Sequence, residues 1–201
     1  MGPRTEIIQK TLTHLDELSA TEVQYSAPDF PIDKYVDEAV KRVVLSAPIH
    51  ALGGGNEWPS SAQLTVRQDG VGIIDIPEDF LRMIWMRLPS WRRGVAWPIY
   101  ENSPEYARQM HRATRGGFTK PVCAIVEGGK KMELYIAKES DTQGWSGAYF
   151  PATPISDETL FPHKLLEVVA WTCASLVLTS IADYNAATAA NNKAAELLQS
   201  L

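Results

Sequence analysis

Residues 63–88 read QLTVRQDGVGIIDIPEDFLRMIWMRL, and their hydrophobic period differs from that of the residues on either side. Apolar and polar residues alternate through much of this stretch, which is typical of β-strands. The dipeptide Asp69-Gly70 interrupts the alternation and predicts a two-residue hairpin turn between two strands. A further strand, residues 80–88, follows Pro77. We therefore expect a β-rich segment to begin at residue 63.

The strand at residues 80–88 has no cleanly apolar face. Strict alternation places Leu81, Met83, Trp85 and Arg87 on one face and Arg82, Ile84, Met86 and Leu88 on the other. A strand with charge and apolar groups on both faces is expected at a subunit boundary. A half-exposed strand of a monomer explains the pattern nearly as well.

The β-rich segment continues beyond residue 100. Residues 121–138, PVCAIVEGGKKMELYIAK, predict two strands around a glycine turn. Before them, Ser103-Pro104-Glu105 has the residue types of a helix start and predicts a short helix through Ala113. The middle of the chain is thus expected to be a small antiparallel sheet or barrel with one inserted helix.

Helical patterns flank the β-rich segment on its N-terminal side. Residues 4–20 have amphipathic spacing, and residues 36–47 follow it more clearly, with Asp33 as a plausible cap and Pro48 as a plausible end. Between the two helices, residues 26–35 read as a loop because they contain two prolines.

The last forty or so residues return to a helical pattern. Asp157 and Pro162 each offer a start, and we expect one long helix whose first half is buried on several sides. Its second half, NAATAANNKAAELL at residues 185–198, is small and polar, which suits close packing against a neighbour or the lining of a channel. An exposed helix chosen for its propensity alone explains that half as well.

These elements predict an α+β fold, in which a helical bundle carries an inserted small antiparallel β-sheet or barrel subdomain. We expect N-terminal helices and a loop in residues 1–62, the β-rich insertion in residues 63–152, and a C-terminal helix in residues 153–201 that packs on the N-terminal helices.

Charge is distributed unevenly along the chain. The net charge of −5 argues against a general affinity for nucleic acid. From Arg82 to Lys138, however, there are eleven Lys and Arg residues against four Asp and Glu, a balance of +7, so the rest of the chain carries −12. A basic middle between acidic flanks suits two surfaces with different partners, or identical subunits that attract one another.

Residue patterns of known enzymes are absent from the sequence. The four histidines are far apart and lack metal-ligand spacing, and the two cysteines fall in apolar segments that predict buried thiols. The acidic turn at residues 75–79 predicts capping or solvated carboxylates. We therefore expect no catalytic residue, no metal, no cofactor and no membrane span in residues 165–184, whose apolar run predicts a buried helix.

The stretch at residues 80–97, FLRMIWMRLPSWRRGVAW, interleaves tryptophan and arginine. Such a pattern serves protein interfaces, where both types are enriched, or single-stranded nucleic acid, whose bases stack on aromatic rings. A nucleic-acid-binding module that uses residues 82–97 is therefore the alternative to a protein interface. The candidate interface residues are Arg82, Trp85, Arg87, Trp91, Arg92, Arg93 and Trp97.

The order of the predicted elements resembles that of head-to-tail adaptor proteins of tailed bacteriophages, of the short-tailed and crAss-like phage type. Three segments carry the resemblance: IDIPEDFLRMIWMRL at residues 74–88, KPVCAIVEGGKKMELYIAK at residues 120–138, and FPHKLLEVVAWTCASLVL at residues 161–178 with its alanine-rich continuation. The likeness covers most of residues 33–201, although each motif is loose.

This resemblance implies a structural virion protein with no cofactor and no catalysis. Such adaptors form a homo-oligomeric ring, commonly about twelve copies, that connects the portal to further tail or ring proteins. Double-stranded DNA passes through the ring without sequence-specific binding. On this reading, the tryptophans pack at a subunit edge and the arginines pair with carboxylates of an adjacent subunit or ring.

Overall fold

The computed structural model of the chain describes residues 2–18 and 32–201 and separates into two compact units. A helical unit comprises Met1–Gly53 and Ala152–Leu201, and a β unit comprises Gly54–Pro151. Helices thus flank a β-rich insertion, which confirms the predicted α+β fold class. The predicted loop at residues 26–35 lies largely outside the described residues.

Five helices lie in the described part of the chain, four of them in the helical unit and α3 in the β unit. They are α1 (Pro3–Leu18), α2 (Ile32–Ser46), α3 (Pro104–Gln109), α4 (His163–Ser180) and α5 (Tyr184–Gln199). The apolar face of α2 is buried as its spacing predicts, and α4 is buried on several sides. In α5 the buried positions are alanines, whose small side chains let it pack closely against α4.

Arg4 joins the starts of α1 and α2. Its guanidinium donates to the carboxylates of Asp33 and Asp37, each at 2.9 Å, and to the carbonyl oxygen of Ile155 at 2.7 Å. Asp33 was predicted to cap α2, but α2 begins one residue earlier, so Asp33 lies in the first turn. Its carboxylate suits that position because the first turn is the positive end of the helix dipole.

Asp157 was a predicted start of the C-terminal helix, but it contacts the first turn of α1. Its carboxylate accepts from the backbone N of Thr5 at 2.8 Å and from the Thr5 hydroxyl at 2.5 Å. These two bonds hold the pKa of Asp157 below its usual range. The helix itself begins at His163, directly after Pro162, which was the other predicted start.

The prediction of a single C-terminal helix is wrong, because the helix is interrupted between α4 and α5. Ala182 has a left-handed backbone with φ 64°, and Asp183 then caps α5 by accepting from the backbone N of Ala186 at 3.2 Å. Glycine usually occupies such a left-handed position. Because this chain has alanine there, the break leaves no clear mark in the sequence.

A buried histidine connects α1 to α4. His14 is 7% exposed and stacks on Trp171 with ring centroids 3.8 Å apart. Its Nε2 lies 2.9 Å from Glu167 Oε1. Lys10 donates to the other oxygen of Glu167 at 2.9 Å. Burial alone would raise the pKa of Glu167, but the Lys10 bond and the His14 ring outweigh it and lower the pKa.

This contact predicts a pH-dependent contribution to stability. Replacing Glu167 by glutamine should cost about 1 kcal/mol of unfolding free energy at pH 7, a value reduced for solvent screening because the side chain is 38% exposed. A lowered pKa in the folded state stabilises above the unfolded pKa of about 4.3, and this stabilisation is lost as pH falls through the folded pKa. The two proteins should therefore converge near pH 3 in denaturant titrations.

The matched control for that measurement is Glu158→Gln. Glu158 is exposed on the same unit and forms no ion pair with a described residue, so its substitution should leave stability unchanged from pH 3 to pH 7. Equal effects of the two substitutions would contradict a specific role for Glu167.

Eight strands in the described residues form two sheets in the β unit. They are β1 (Asn56–Glu57), β2 (Thr65–Val66), β3 (Val71–Asp75), β4 (Phe80–Arg87), β5 (Ile99–Tyr100), β6 (Cys123–Val126), β7 (Lys131–Tyr135) and β8 (Ser146–Pro151). One sheet has the order β2-β3-β7-β6-β5 and the other β1-β8-β4. All pairs are antiparallel except β5–β6, which is parallel, so the predicted antiparallel sheet gains one parallel edge.

Side chains from both sheets meet in one hydrophobic core. The five-stranded sheet contributes residues such as Ile74, Met132 and Leu134, and the three-stranded sheet contributes Met83 and Tyr149. On its other face, the five-stranded sheet packs a second cluster, which includes Tyr135, under α3. Because β6 is covered on both faces, its sequence is a continuous apolar run, whereas β7 includes the buried Glu133.

The hairpin between β2 and β3 is present, but its loop has three residues rather than two. Arg67 pairs with Val71, and the backbone N of Gly70 donates to Arg67 O at 2.9 Å. Gly70 has φ 78°, which is the left-handed conformation that ends this type of hairpin loop. The Asp69-Gly70 signal therefore located the turn correctly and gave its length one residue too short.

Strict alternation in β4 is wrong, because the strand has two register shifts against β8. They fall between Phe80 and Arg82 and between Met83 and Trp85. As a result, Met83 and the adjacent Ile84 are both buried. A β-bulge adds one residue to a strand and reverses the faces that follow it, so a period of two cannot hold across it.

The inserted helix α3 begins as predicted and ends early. Ser103 caps it by accepting from the backbone N of Tyr106 at 3.3 Å, and Pro104 occupies its first turn. It ends at Gln109, four residues before the predicted end at Ala113. The Thr114 hydroxyl donates to Arg108 O at 2.6 Å, which closes the turn that follows.

Candidate functional site

Trp91, one of the seven candidate interface residues, lies in the core of the β unit. It is 1% exposed, and its Nε1 donates to the backbone carbonyl of Tyr135 at 3.1 Å. The backbone N of Trp91 also donates to Leu88 O, so a tight turn carries the ring inward. Trp91 therefore supports the loop at residues 88–94 from inside and offers no surface to a partner.

Arg82 and Trp97 form an exposed patch together with Tyr100, which we call the aromatic patch. Trp97 is 64% exposed and Tyr100 is 57% exposed. The guanidinium carbon of Arg82 lies 4.9 Å from the centroid of the Trp97 ring. Burial lowers the pKa of Arg82, and the nearby Tyr100 opposes this change. Tyr100 has no clear signal in the sequence, because it follows Pro98 in a segment without periodicity.

Trp85 and Arg87 lie on the three-stranded sheet. Trp85 is 37% exposed and lines a groove of about 610 Å³ together with Trp58 and Trp145. The rings of Trp58 and Trp145 meet edge to face with centroids 6.5 Å apart. Arg87 is exposed at the end of β4, opposite Ser146. The tryptophans at 58 and 145 escaped the sequence analysis because each stands in a loop far from residues 80–97.

Arg92 and Arg93 are exposed in the loop at residues 88–94, which we call the arginine loop and which meets a second loop. The backbone N of Arg92 donates to Phe118 O at 2.9 Å. Two hydrogen bonds between Gly117 and Lys120 close that second loop, with Phe118 at its tip. The Lys138 ammonium lies 4.8 Å from the centroid of the Phe118 ring.

These two loops and Lys138 form a surface that we call the basic end. Its members are Arg92, Arg93, Phe118, Lys120 and Lys138. The seven candidate residues of the sequence thus occupy four places: the core, the aromatic patch, the three-stranded sheet, and the basic end. The sequence could not show the contribution of Phe118, Lys120 and Lys138, which reach the arginine loop through the pairing of β6 with β7.

The buried Glu133 and the half-buried Asp79 have structural partners. Glu133 accepts from the hydroxyls of Tyr135 at 2.7 Å and Tyr106 at 3.2 Å, which ties α3 to the sheet. Burial and the hydrogen bond to Glu133 raise the pKa of Tyr135. In the acidic turn, Asp79 accepts from Tyr149 at 2.9 Å, and burial together with this bond raises the pKa of Tyr149 to about 12. These geometries stabilise the fold and leave the carboxylates occupied.

Cysteines and histidines do not converge on a site within the described ranges 2–18 and 32–201. Both cysteines are buried, and burial raises the pKa of Cys173 to about 12. No group of three or more His, Cys, Asp or Glu side chains in these ranges is placed to hold a metal ion. Across the same residues, no helix combines the length and the apolar character that crossing a bilayer requires.

The sequence matches the model of a known protein family. The family model of the SU10 adaptor protein matches residues 4–201, which is nearly the whole chain. The chain belongs to the SU10 adaptor protein family. The resemblance to phage head-to-tail adaptors is thereby confirmed, and membership indicates a structural adaptor of a phage virion. No curated protein matches the chain. The adaptor's exposed aromatic and basic surfaces are accordingly candidates for contacts with other virion components.

Proposed function

We propose that this adaptor forms a homo-oligomeric ring of about twelve copies beneath the portal and connects the capsid to the tail. The portal and further tail or ring proteins are its protein partners, and double-stranded DNA passes through the ring without sequence-specific binding. The adaptor works as a structural component without catalysis. Family membership supports the general role, and the ring and its partners are our extension of it.

The aromatic patch is the observation that most directly supports a role in protein contacts. Trp97 and Tyr100 each expose more than half of their surface, and Arg82 stacks on the Trp97 ring. Tryptophan, tyrosine and arginine are the types that dominate binding energy at protein interfaces. The Trp97 side chain is already held by the Arg82 guanidinium, so it loses little conformational freedom when a partner covers it.

Trp85 and Arg87 extend the proposed contact surface along β4. Trp85 is partly open to the groove that it shares with Trp145, and Arg87 is exposed beyond it. The alternative of a nucleic-acid module that uses all of residues 82–97 finds less support. Trp91 is unavailable for stacking because its ring is in the core.

Truncating Trp97 tests the proposed interface. We expect Trp97→Ala to weaken ring formation about 30-fold, corresponding to about 2 kcal/mol, since a central tryptophan is lost from the contact. Light scattering across a concentration range, alone and with the portal protein of the same virion, measures the effect. Stability in denaturant should change little because the Trp97 indole is exposed.

The matched control is Tyr184→Ala in the helical unit. Tyr184 is 65% exposed, close to the value for Trp97, but it lies at the start of α5, away from the aromatic patch in sequence and unit. Assembly of the Tyr184 variant should match that of the unchanged protein. If the Trp97 variant also assembled normally, the patch would not be an interface.

A further inference from the structure

The basic end of the β unit carries positive charge that no described carboxylate neutralises. Arg92, Arg93 and Lys120 are exposed, and neither they nor Lys138 form an ion pair with any Asp or Glu in the described ranges. Ion pairs elsewhere in the β unit engage Arg67 and Lys131. The basic end is therefore available to an external anion.

The two carboxylates nearest in sequence do not cancel this charge. Asp141 is buried and accepts from Ser90 and from the backbone N of Lys138. Glu139 is exposed and stands alone against the four cations. The Phe118 ring, 38% exposed, adds an apolar surface that Lys138 covers from one side.

The helical unit of a second copy is a poor source of the missing negative charge. The helical unit is acidic, but most of its described carboxylates already have partners: Asp33 and Asp37 pair with Arg4, Glu38 with Arg42, Glu167 with Lys10, Asp157 with Thr5, and Glu196 with Lys193. Among the other described carboxylates of that unit, Glu6 and Glu17 lie near histidines, and Glu158 forms no ion pair with a described residue. The sequence-based expectation that Arg92 and Arg93 pair with an adjacent subunit or ring therefore needs carboxylates of the β unit, such as the exposed Glu78 and Glu101, or of another protein.

We propose that the basic end binds the phosphate backbone of double-stranded DNA without reading its sequence. Duplex DNA presents one negative charge about every 1.7 Å, a density that suits four cations on adjoining loops. Arginine and lysine side chains contact phosphate oxygens, and such contacts carry no sequence information. This inference goes beyond the proposed function and does not require a ring to form.

The geometry explains why the contact would be well defined. One hydrogen bond joins the arginine loop to Phe118, and the Gly117–Lys120 bridge fixes the second loop. Asp141 connects Ser90 of the first loop to Lys138. Three chain segments therefore present their cations from one fixed framework, which reduces the entropy lost on binding.

Binding of a labelled duplex to the full-length protein tests the proposal. Fluorescence anisotropy with two unrelated duplexes of about 25 base pairs, from about 50 to 200 mM salt, should give equal affinities and a log–log salt slope of roughly −3 to −4 for four phosphate contacts. Lys120→Gln with Lys138→Gln should weaken binding at least about tenfold at the lowest salt and reduce the slope by about 2.

The β6–β7 hairpin supplies a matched control. Lys130→Gln with Lys131→Gln removes the same charge at the other end of the hairpin, where those residues follow the glycine turn, and should leave the slope nearly unchanged. An independent pair, Arg92→Gln with Arg93→Gln, should act like the Lys120 and Lys138 pair.

Three results would overturn the proposal. The first is absence of duplex binding at about 50 mM salt, where phosphate contacts are strong. The second is equal weakening by both lysine pairs, since binding would then follow net charge alone. The third is competition by polyglutamate at the same charge concentration as effectively as by DNA, which would indicate an acidic protein surface as the partner.

Discussion

Replacing Trp91 by alanine should destabilise the β unit by about 3 to 5 kcal/mol, the usual cost of removing a large aromatic side chain from a core. The ring is 1% exposed and packs in the core formed by both sheets. Its loss also leaves the Tyr135 carbonyl without the indole donor at 3.1 Å. Urea titration followed by circular dichroism measures the change in unfolding free energy.

Two variants separate the packing and hydrogen-bond parts of this effect. Trp91→Phe keeps much of the apolar contact and loses the indole N–H, so it should cost less than the alanine variant. Trp97→Ala removes a ring of the same type from the surface and should change stability by less than about 1 kcal/mol. A Trp91→Ala protein as stable as the Trp97→Ala protein would contradict the buried placement.

Periodicity predicted the elements well where nothing interrupts it. The apolar spacing of α2 and the serine-proline start of α3 correspond to local interactions, which adjacent residues determine. The fold class followed from the change of period at residue 63. It required no knowledge of which strands pair.

Interruptions of periodicity were the main source of error. The two register shifts in β4 depend on how β8 pairs with it, and β8 lies some sixty residues further along the chain. The break at Ala182 uses a residue type that does not favour the left-handed conformation it adopts. In both places the tertiary structure overrides the local preference, so the neighbouring sequence carries little warning.

The candidate surfaces show the same limit. Composition correctly drew attention to residues 80–97, but it could not distinguish the buried Trp91 from the exposed Trp97. Nor could it associate Phe118 and Lys138 with Arg92, because strand pairing and a loop-to-loop hydrogen bond bring them together. Residue types thus indicated a contact function, while the spatial grouping required the structure.

Asp141 joins two segments of the basic end through hydrogen bonds to Ser90 and Lys138. After Trp91→Ala, its replacement by alanine should have the largest effect on stability. The side chain is 1% exposed and accepts three hydrogen bonds: from the backbone N of Ser90 at 2.9 Å, the Ser90 hydroxyl at 2.6 Å and the backbone N of Lys138 at 2.8 Å. Alanine would leave these partly buried donors without an acceptor. We expect a loss of about 3 kcal/mol.

The same substitution should loosen the arginine loop relative to Lys138, since Asp141 is the group that bonds to both segments. Hydrogen exchange at the Ser90 and Lys138 amides should accelerate more than exchange in β6. Asp141→Asn retains one acceptor oxygen and should lie between the alanine variant and the unchanged protein in stability.

Glu139→Ala is the control for charge, because it removes a carboxylate two residues away that is exposed. It should leave stability and both amide exchange rates nearly unchanged, and it should strengthen duplex binding slightly as a negative charge leaves the basic end. If Asp141→Ala were no more destabilising than Glu139→Ala, the three hydrogen bonds could not be what holds the two segments together, and the fixed framework assigned to the basic end would be wrong.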